Sequence, residues 1–266
     1  MSTITLPNGH PLEYVEVGEG GIPLLLVHGY PLDQSMWKPQ MEGLHGVRCI
    51  APDLRGFGAS CFSPAPNTLS EHADDLAALL DALKIERAVI AGLSMGGYIA
   101  FEFVRRHRER LLGLILLDTS PRPDDEATRA ARNTTIERAA SEGVGPIALA
   151  LGAKLFADGV TRKMRDTVIS LMALTPRESI IAASTAIRDR ADSRDLLPTL
   201  ANTPTLVVVG SEDRLTPPDV ARAMAAAIPG ATLVEIDGAG HLPTLERPAE
   251  TTAAMQQFLD RLPAGR

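Results

Sequence analysis

The pentapeptide Gly92-Leu93-Ser94-Met95-Gly96 is where residue types and spacing first suggest chemistry. A serine with a glycine two positions away on each side fits a sharp strand-to-helix turn that lifts its hydroxyl clear of the backbone. The flanks supply what such a turn needs. The apolar run AVIA (88–91) leads in, and GGYIAFEFVRRH (96–107) leads out as an amphipathic helix. So tight a turn leaves no room for side chains at 92 and 96 and strains the backbone of the serine. Ser94 is the candidate nucleophile, and the helix N-terminus behind it favours developing negative charge.

A serine hydroxyl at neutral pH needs a base, and the chain offers six histidines. His10, His45, His72 and His107 fall in a hairpin, a loop or on helix faces, where surface or capping roles are expected. His28 follows the apolar run IPLLLV and suits a role in holding its own loop. His241, in DGAGHLPTLERP between the last strand pattern and the last helix pattern, is the candidate base. Gly238 and Gly240 allow the bend that turns its ring inward. The base in turn needs an acid to fix its tautomer. Asp213, in GSEDRLTPP after the run TLVVV, is placed for this; Asp118, at the end of LLGLILL, competes and is expected to cap or hydrogen-bond instead. Glu212 points elsewhere if Asp213 points in. Two backbone N–H groups should hold the oxyanion: that of Met95, and that of Tyr30 in His28-Gly29-Tyr30-Pro31, where Pro31 has no proton to donate. Asp53 and Arg55 in PDLRGFGAS (52–60) are expected to brace a loop.

These residues require a frame. Continuous apolar runs at 22–27, 47–51, 87–92, 111–117, 205–210 and 231–236 have the composition of strands buried on both faces. Amphipathic segments at 70–83, 95–107, 218–228 and 248–262 alternate with them, which predicts an α/β fold, a mostly parallel doubly wound sheet with helices on both sides. An N-terminal hairpin turning at Pro7-Asn8-Gly9 precedes it. Each proposed site residue then lies at the carboxyl edge of the sheet. From Pro121 to Leu197 the rhythm stops and only helical patterns occur, so 121–197 reads as a helical cap inserted into a core of 1–120 and 198–266. Apolar residues there, such as Leu151, Leu155, Phe156, Met172 and Leu174, either line an acyl pocket or form the cap's own packing.

Composition narrows the function classes. The 266 residues carry a net charge of −7, which disfavours nucleic acid or an anionic membrane as a partner. Arg105, Arg106, Arg108 and Arg110 gather at a helix end, where the dipole accepts them. Two cysteines, Cys49 and Cys61, make neither a disulfide framework nor a CxxC metal or redox motif. No apolar run is long enough to span a bilayer and no signal peptide is seen, so a cytoplasmic location is expected.

With the order Ser94, Asp213, His241 in place, the chain resembles the α/β-hydrolase superfamily over nearly its whole length. The matching motifs are HGYPLDQSMW, PDLRGFGAS, GLSMGG, GSEDRLTPP and GAGHLPTLERP. It looks like small bacterial carboxylesterases, enol-lactone hydrolases and cofactor-free haloperoxidase-like esterases. The resemblance implies hydrolysis of a small ester through an acyl-enzyme, with no metal or organic cofactor. A lactone substrate, with perhydrolysis as a side activity, or a non-catalytic ligand sensor on the same fold are the alternatives.

Overall fold

The computed structural model describes residues 1–63 and 67–262; residues 64–66 and 263–266 of the expected core segments lie outside the described residues. Eight strands form one sheet: β1 (Ser2–Thr5), β2 (Pro11–Val17), β3 (Ile22–Val27), β4 (Val47–Pro52), β5 (Ala88–Leu93), β6 (Leu111–Leu117), β7 (Thr205–Gly210) and β8 (Thr232–Ile236). Their order is β1-β2-β4-β3-β5-β6-β7-β8. The hairpin β1–β2 joins antiparallel and every later pairing is parallel.

Among the described residues ten α-helices accompany the sheet: α1 (Lys38–Gly43), α2 (Leu69–Ala82), α3 (Met95–His107), α4 (Glu126–Glu142), α5 (Gly145–Leu155), α6 (Arg162–Ala173), α7 (Arg177–Arg188), α8 (Pro218–Ala227), α9 (Pro243–Glu246) and α10 (Pro248–Leu259). The parallel strands read as continuous apolar runs because successive side chains serve opposite layers. In β3, Leu25 and Val27 belong to the layer that holds α2, α3 and α8, whereas Leu24 and Leu26 belong to the layer of α1 and α10. Each of these four leucine and valine side chains is fully buried, a state that stabilises by roughly 1.5–3 kcal/mol per side chain.

The helices α4–α7 occupy the stretch expected to lack strands. All but α4 share the apolar clusters of the sheet: Leu155, Phe156 and Met172 pack in the α1/α10 layer, and Ala183 and Ile187 in the α2/α3 layer, while Ala139 of α4 packs with Ile147 and Ile180. This sorts the apolar residues singled out above. Phe156 and Met172 are core, Leu174 is 80% exposed, and Leu151 and Leu155 line the cavity described below. The pattern of α6 fixes one apolar face but not whether that face meets the sheet or an open space.

Candidate active site

Ser94 sits between β5 and α3 with φ 54° and ψ −113°, a left-handed region that a serine rarely adopts. Its backbone is held on both sides. Ser94 N–H donates to Leu117 O of β6 at 2.9 Å, and Ser94 O accepts from Thr119 Oγ1 at 2.8 Å and from Gly97 N–H at 2.9 Å. The flanking glycines are there for space. A Cβ on Gly92 would lie 2.2 Å from Gly96 O, and one on Gly96 would lie 2.2 Å from Val27 O. Such overlap also shows that the β3 loop lies directly over the start of α3.

That loop runs through His28 to Pro31, with a cis Tyr30–Pro31 bond. A Cβ on Gly29 would come within 3.5 Å of Ser94 Cβ, so the loop borders the serine. Among the described residues, neither Tyr30 N–H nor Met95 N–H donates to another protein group. Both are therefore available as donors beside Ser94. His28 is fully buried; its Nδ1 pairs with Gly29 O at 3.0 Å and its Nε2 accepts Leu54 N–H at 3.0 Å. Burial lowers its pKa, which suits a neutral ring that fastens the loop to 52–60. There Asp53 accepts Gln34 N–H and Ala59 N–H, and Arg55 makes a buried two-pronged pair with Asp75 of α2. Both act as braces.

His241 and Asp213 are joined. The ring Nδ1 is 2.8 Å from Asp213 Oδ2, and both side chains are buried. Asp213 also accepts Leu215 N–H at 2.8 Å, Thr216 N–H at 3.1 Å and the Thr216 hydroxyl at 2.5 Å. Burial alone would raise its pKa, but the charge and hydrogen bond of His241, with Thr216 and Leu215, outweigh it and hold Asp213 below the ordinary carboxyl range. Glu212 turns outward to Asp158 N–H. At the bend before His241, Gly238 has φ 63°, while a Cβ on Gly240 would meet Ala157 N at 2.5 Å.

Three residues important to this geometry are not singled out for it by type or spacing, although Thr216 and Glu246 lie within GSEDRLTPP and GAGHLPTLERP. Thr216 bonds the acid and lies 3.4 Å from His241 Nδ1. Glu246, buried on α9, accepts the N–H groups of Ala157, Gly240 and Leu242, tying the His241 loop to the end of α5. Leu155 O accepts His241 N–H at 2.7 Å. The expectation of a surface role for His72 fails: it is 2% exposed on α2, and burial drives its pKa down to about 3.

Ser94 and His241 open onto one cavity of about 530 Å³, lined also by Tyr30, Leu151, Leu155 and Arg190. One wall is apolar. On the other, Arg190 lies with its guanidinium 4.3 Å from the Tyr98 ring centre and pairs with the buried Asp124, which Arg132 also engages. Among the described residues, Asp118, Asp213 and His241 form the one group of three that could face a single cation. His241 and Asp213 already bond each other directly, an arrangement able to carry proton transfer.

A serine on a strained turn, a buried His–Asp pair and free backbone donors at one sheet edge define a class of hydrolase. The chain matches the α/β hydrolase family over residues 24–254 and belongs to it. It is 41% identical to a thermophilic esterase from Thermogutta terrifontis, with TM-score 0.93 and 98% of each chain covered. It is 29% identical to the enol-lactonase from Burkholderia xenovorans LB400, with TM-score 0.90, covering 98% of this chain and 100% of that one. It is also 31% identical to the AB hydrolase superfamily protein YisY of Bacillus subtilis, covering 94% of this chain and 96% of that protein. Among the described residues no helix is long and apolar enough to cross a membrane.

Proposed function

We propose that this hydrolase cleaves small carboxylic esters through an acyl-enzyme. The observation that carries the reading is that His241, bonded to the buried Asp213, lines the same cavity as Ser94. Ser94 attacks the ester carbonyl as His241 takes its proton, and the N–H groups of Tyr30 and Met95 stabilise the oxyanion. His241 then protonates the departing alcohol. Water repeats the sequence on the acyl-enzyme and releases the acid. Asp213 holds the tautomer and stabilises the imidazolium. The mixed walls, Leu151 and Leu155 against Arg132 and Arg190, fit a short acyl group bearing a polar substituent.

A lactone is the second reading, supported by the similarity to an enol-lactonase; the same groups would open a ring instead of expelling an alcohol. Aryl esters of graded acyl length, assayed beside simple lactones, decide between the two. Steady turnover of short esters supports the esterase reading. Preference for lactones replaces it, and binding without turnover of either class refutes both. The helices α4–α7 are proposed to act as a cap that shapes this cavity while the chemistry stays on the sheet loops.

A further inference from the structure

Asp118 lies where the mechanism gives it nothing to do. It ends β6 in a left-handed conformation, φ 43°, and is 1% exposed. Its N–H donates to Val208 O at 3.0 Å, and its Oδ1 accepts Gly210 N–H at 2.9 Å. Gly210 also receives Asp213 N–H on its carbonyl at 3.1 Å, so the backbone of one residue at the end of β7 anchors both aspartates. An oxygen of Asp118, an oxygen of Asp213 and a ring nitrogen of His241 all lie within 4.8 Å of one another. Yet Asp118 Oδ2 is buried with no hydrogen-bond partner.

Two ionised carboxylates cannot share so dry a space without strong repulsion, so one keeps its proton. The distribution of donors says which. Asp213 receives two N–H groups, a hydroxyl and the imidazole, whereas Asp118 receives a single N–H. Nearby Glu246 adds a further negative charge. A proton on Asp118 would also give Oδ2 the partner it lacks.

We propose that Asp118 is protonated in the folded protein at neutral pH and donates that proton as a hydrogen bond to the Asp213 carboxylate, acting as a positioning residue for the His241–Asp213 pair. Burial foremost, then the charge of Asp213, push its pKa well above the ordinary carboxyl range, with Glu246 adding to the rise and only the Gly210 N–H opposing it strongly. The role of Asp118 rests on the esterase reading of Asp213 and His241, but its protonation does not.

The sign of the linkage gives a test independent of activity. A carboxyl whose folded pKa is raised costs stability once pH exceeds its unfolded value, because only the unfolded chain gains by ionising. Asp118→Asn keeps an acceptor for Gly210 and a donor for Asp213, and asparagine tolerates a left-handed backbone. Urea unfolding of wild type and this variant should therefore diverge from about pH 4 upward. The unfolding constant of the wild type should worsen relative to the variant by up to about tenfold per pH unit, until Asp118 ionises. A pH-independent difference would overturn the proposal. In ester hydrolysis at pH 7, Asp118→Asn should stay within roughly tenfold of wild type, the worth of about one hydrogen bond. Asp118→Leu, neutral but unable to donate, should lose more. A loss in Asp118→Asn as large as that of Asp213→Asn would make Asp118 the acid itself. Absence of ester hydrolysis by the wild type would remove the esterase reading and leave the stability arm standing.

Discussion

Tyr30 lines the cavity of Ser94 while its hydroxyl is 3.1 Å from Ser184 Oγ on α7. The loop that would supply an oxyanion donor is thus fastened to the inserted helices, and Thr175 Oγ1 donates to Pro31 O at 3.1 Å on the next residue. Tyr30→Phe keeps the N–H and removes the outer bond. Its expected cost is about 0.5–1.5 kcal/mol of stability, with kcat reduced far less than by a change at Ser94. A loss of kcat matching that of Ser94→Ala would give the hydroxyl a chemical role.

For Ser94 itself, Ser94→Ala should lower kcat by several orders of magnitude in a folded protein. A fluorophosphonate probe should modify Ser94 alone, read by mass spectrometry of the labelled peptide. Labelling at another serine would move the nucleophile.

Asp213→Asn should reduce kcat by roughly 10⁴-fold if this acid behaves as the buried aspartate of a serine-protease triad does. It should also change the pH dependence of stability. A depressed folded pKa contributes stability above the unfolded value near 4 and loses it as pH falls through the folded value. The deficit of the variant relative to wild type should therefore be full at neutral pH and shrink below about pH 4. An unchanged deficit at pH 3 would show that Asp213 is not ionised by preference in the fold.

The cavity walls make a paired prediction. Leu151 lines the cavity whereas Leu174 is 80% exposed. Leu151→Ala should shift the relative kcat/KM for longer and shorter acyl groups by at most about ten- to two-hundred-fold, since a methylene in an apolar pocket is worth about 1–3 kcal/mol. Leu174→Ala should leave the profile unchanged. Equal effects would place the acyl group outside this cavity.

Much of this was legible in the chain because the strongest signals are local. The runs IPLLLV and TLVVVG are apolar throughout because both sheet faces are covered, and GLSMG declares its turn through the absence of side chains. The antiparallel hairpin, six parallel strands and helix α3 follow from those patterns. What stayed hidden depends on partners distant in sequence. Glu246 resembles any acid at a helix end until three N–H groups converge on it, and the unpaired oxygen of Asp118 exists only because β6 and β7 are neighbours. Met172 and Leu174, two residues apart, differ between full burial and exposure. A helix pattern assigns faces, and packing decides what each face meets.

The backbone contacts at the end of α5 bear on how such a protein could diverge. The excursion between β6 and β7 leaves and re-enters at adjacent strands, so its length and sequence are free to drift more readily than those of the sheet. Leu155 O and Ala157 N–H, however, are main-chain groups engaged by His241 N–H and Glu246. Any side chain with the right backbone satisfies them. Recombined or laboratory-evolved versions should therefore accept exchange of the exposed side chains on α4–α7, provided the buried Met172, Ala183 and Ile187 keep their packing and the carbonyl at 155 and the amide at 157 return to the same places. A graft that shifts this short stretch by one residue would inherit a new roof and lose the backbone contact that holds His241 beneath it.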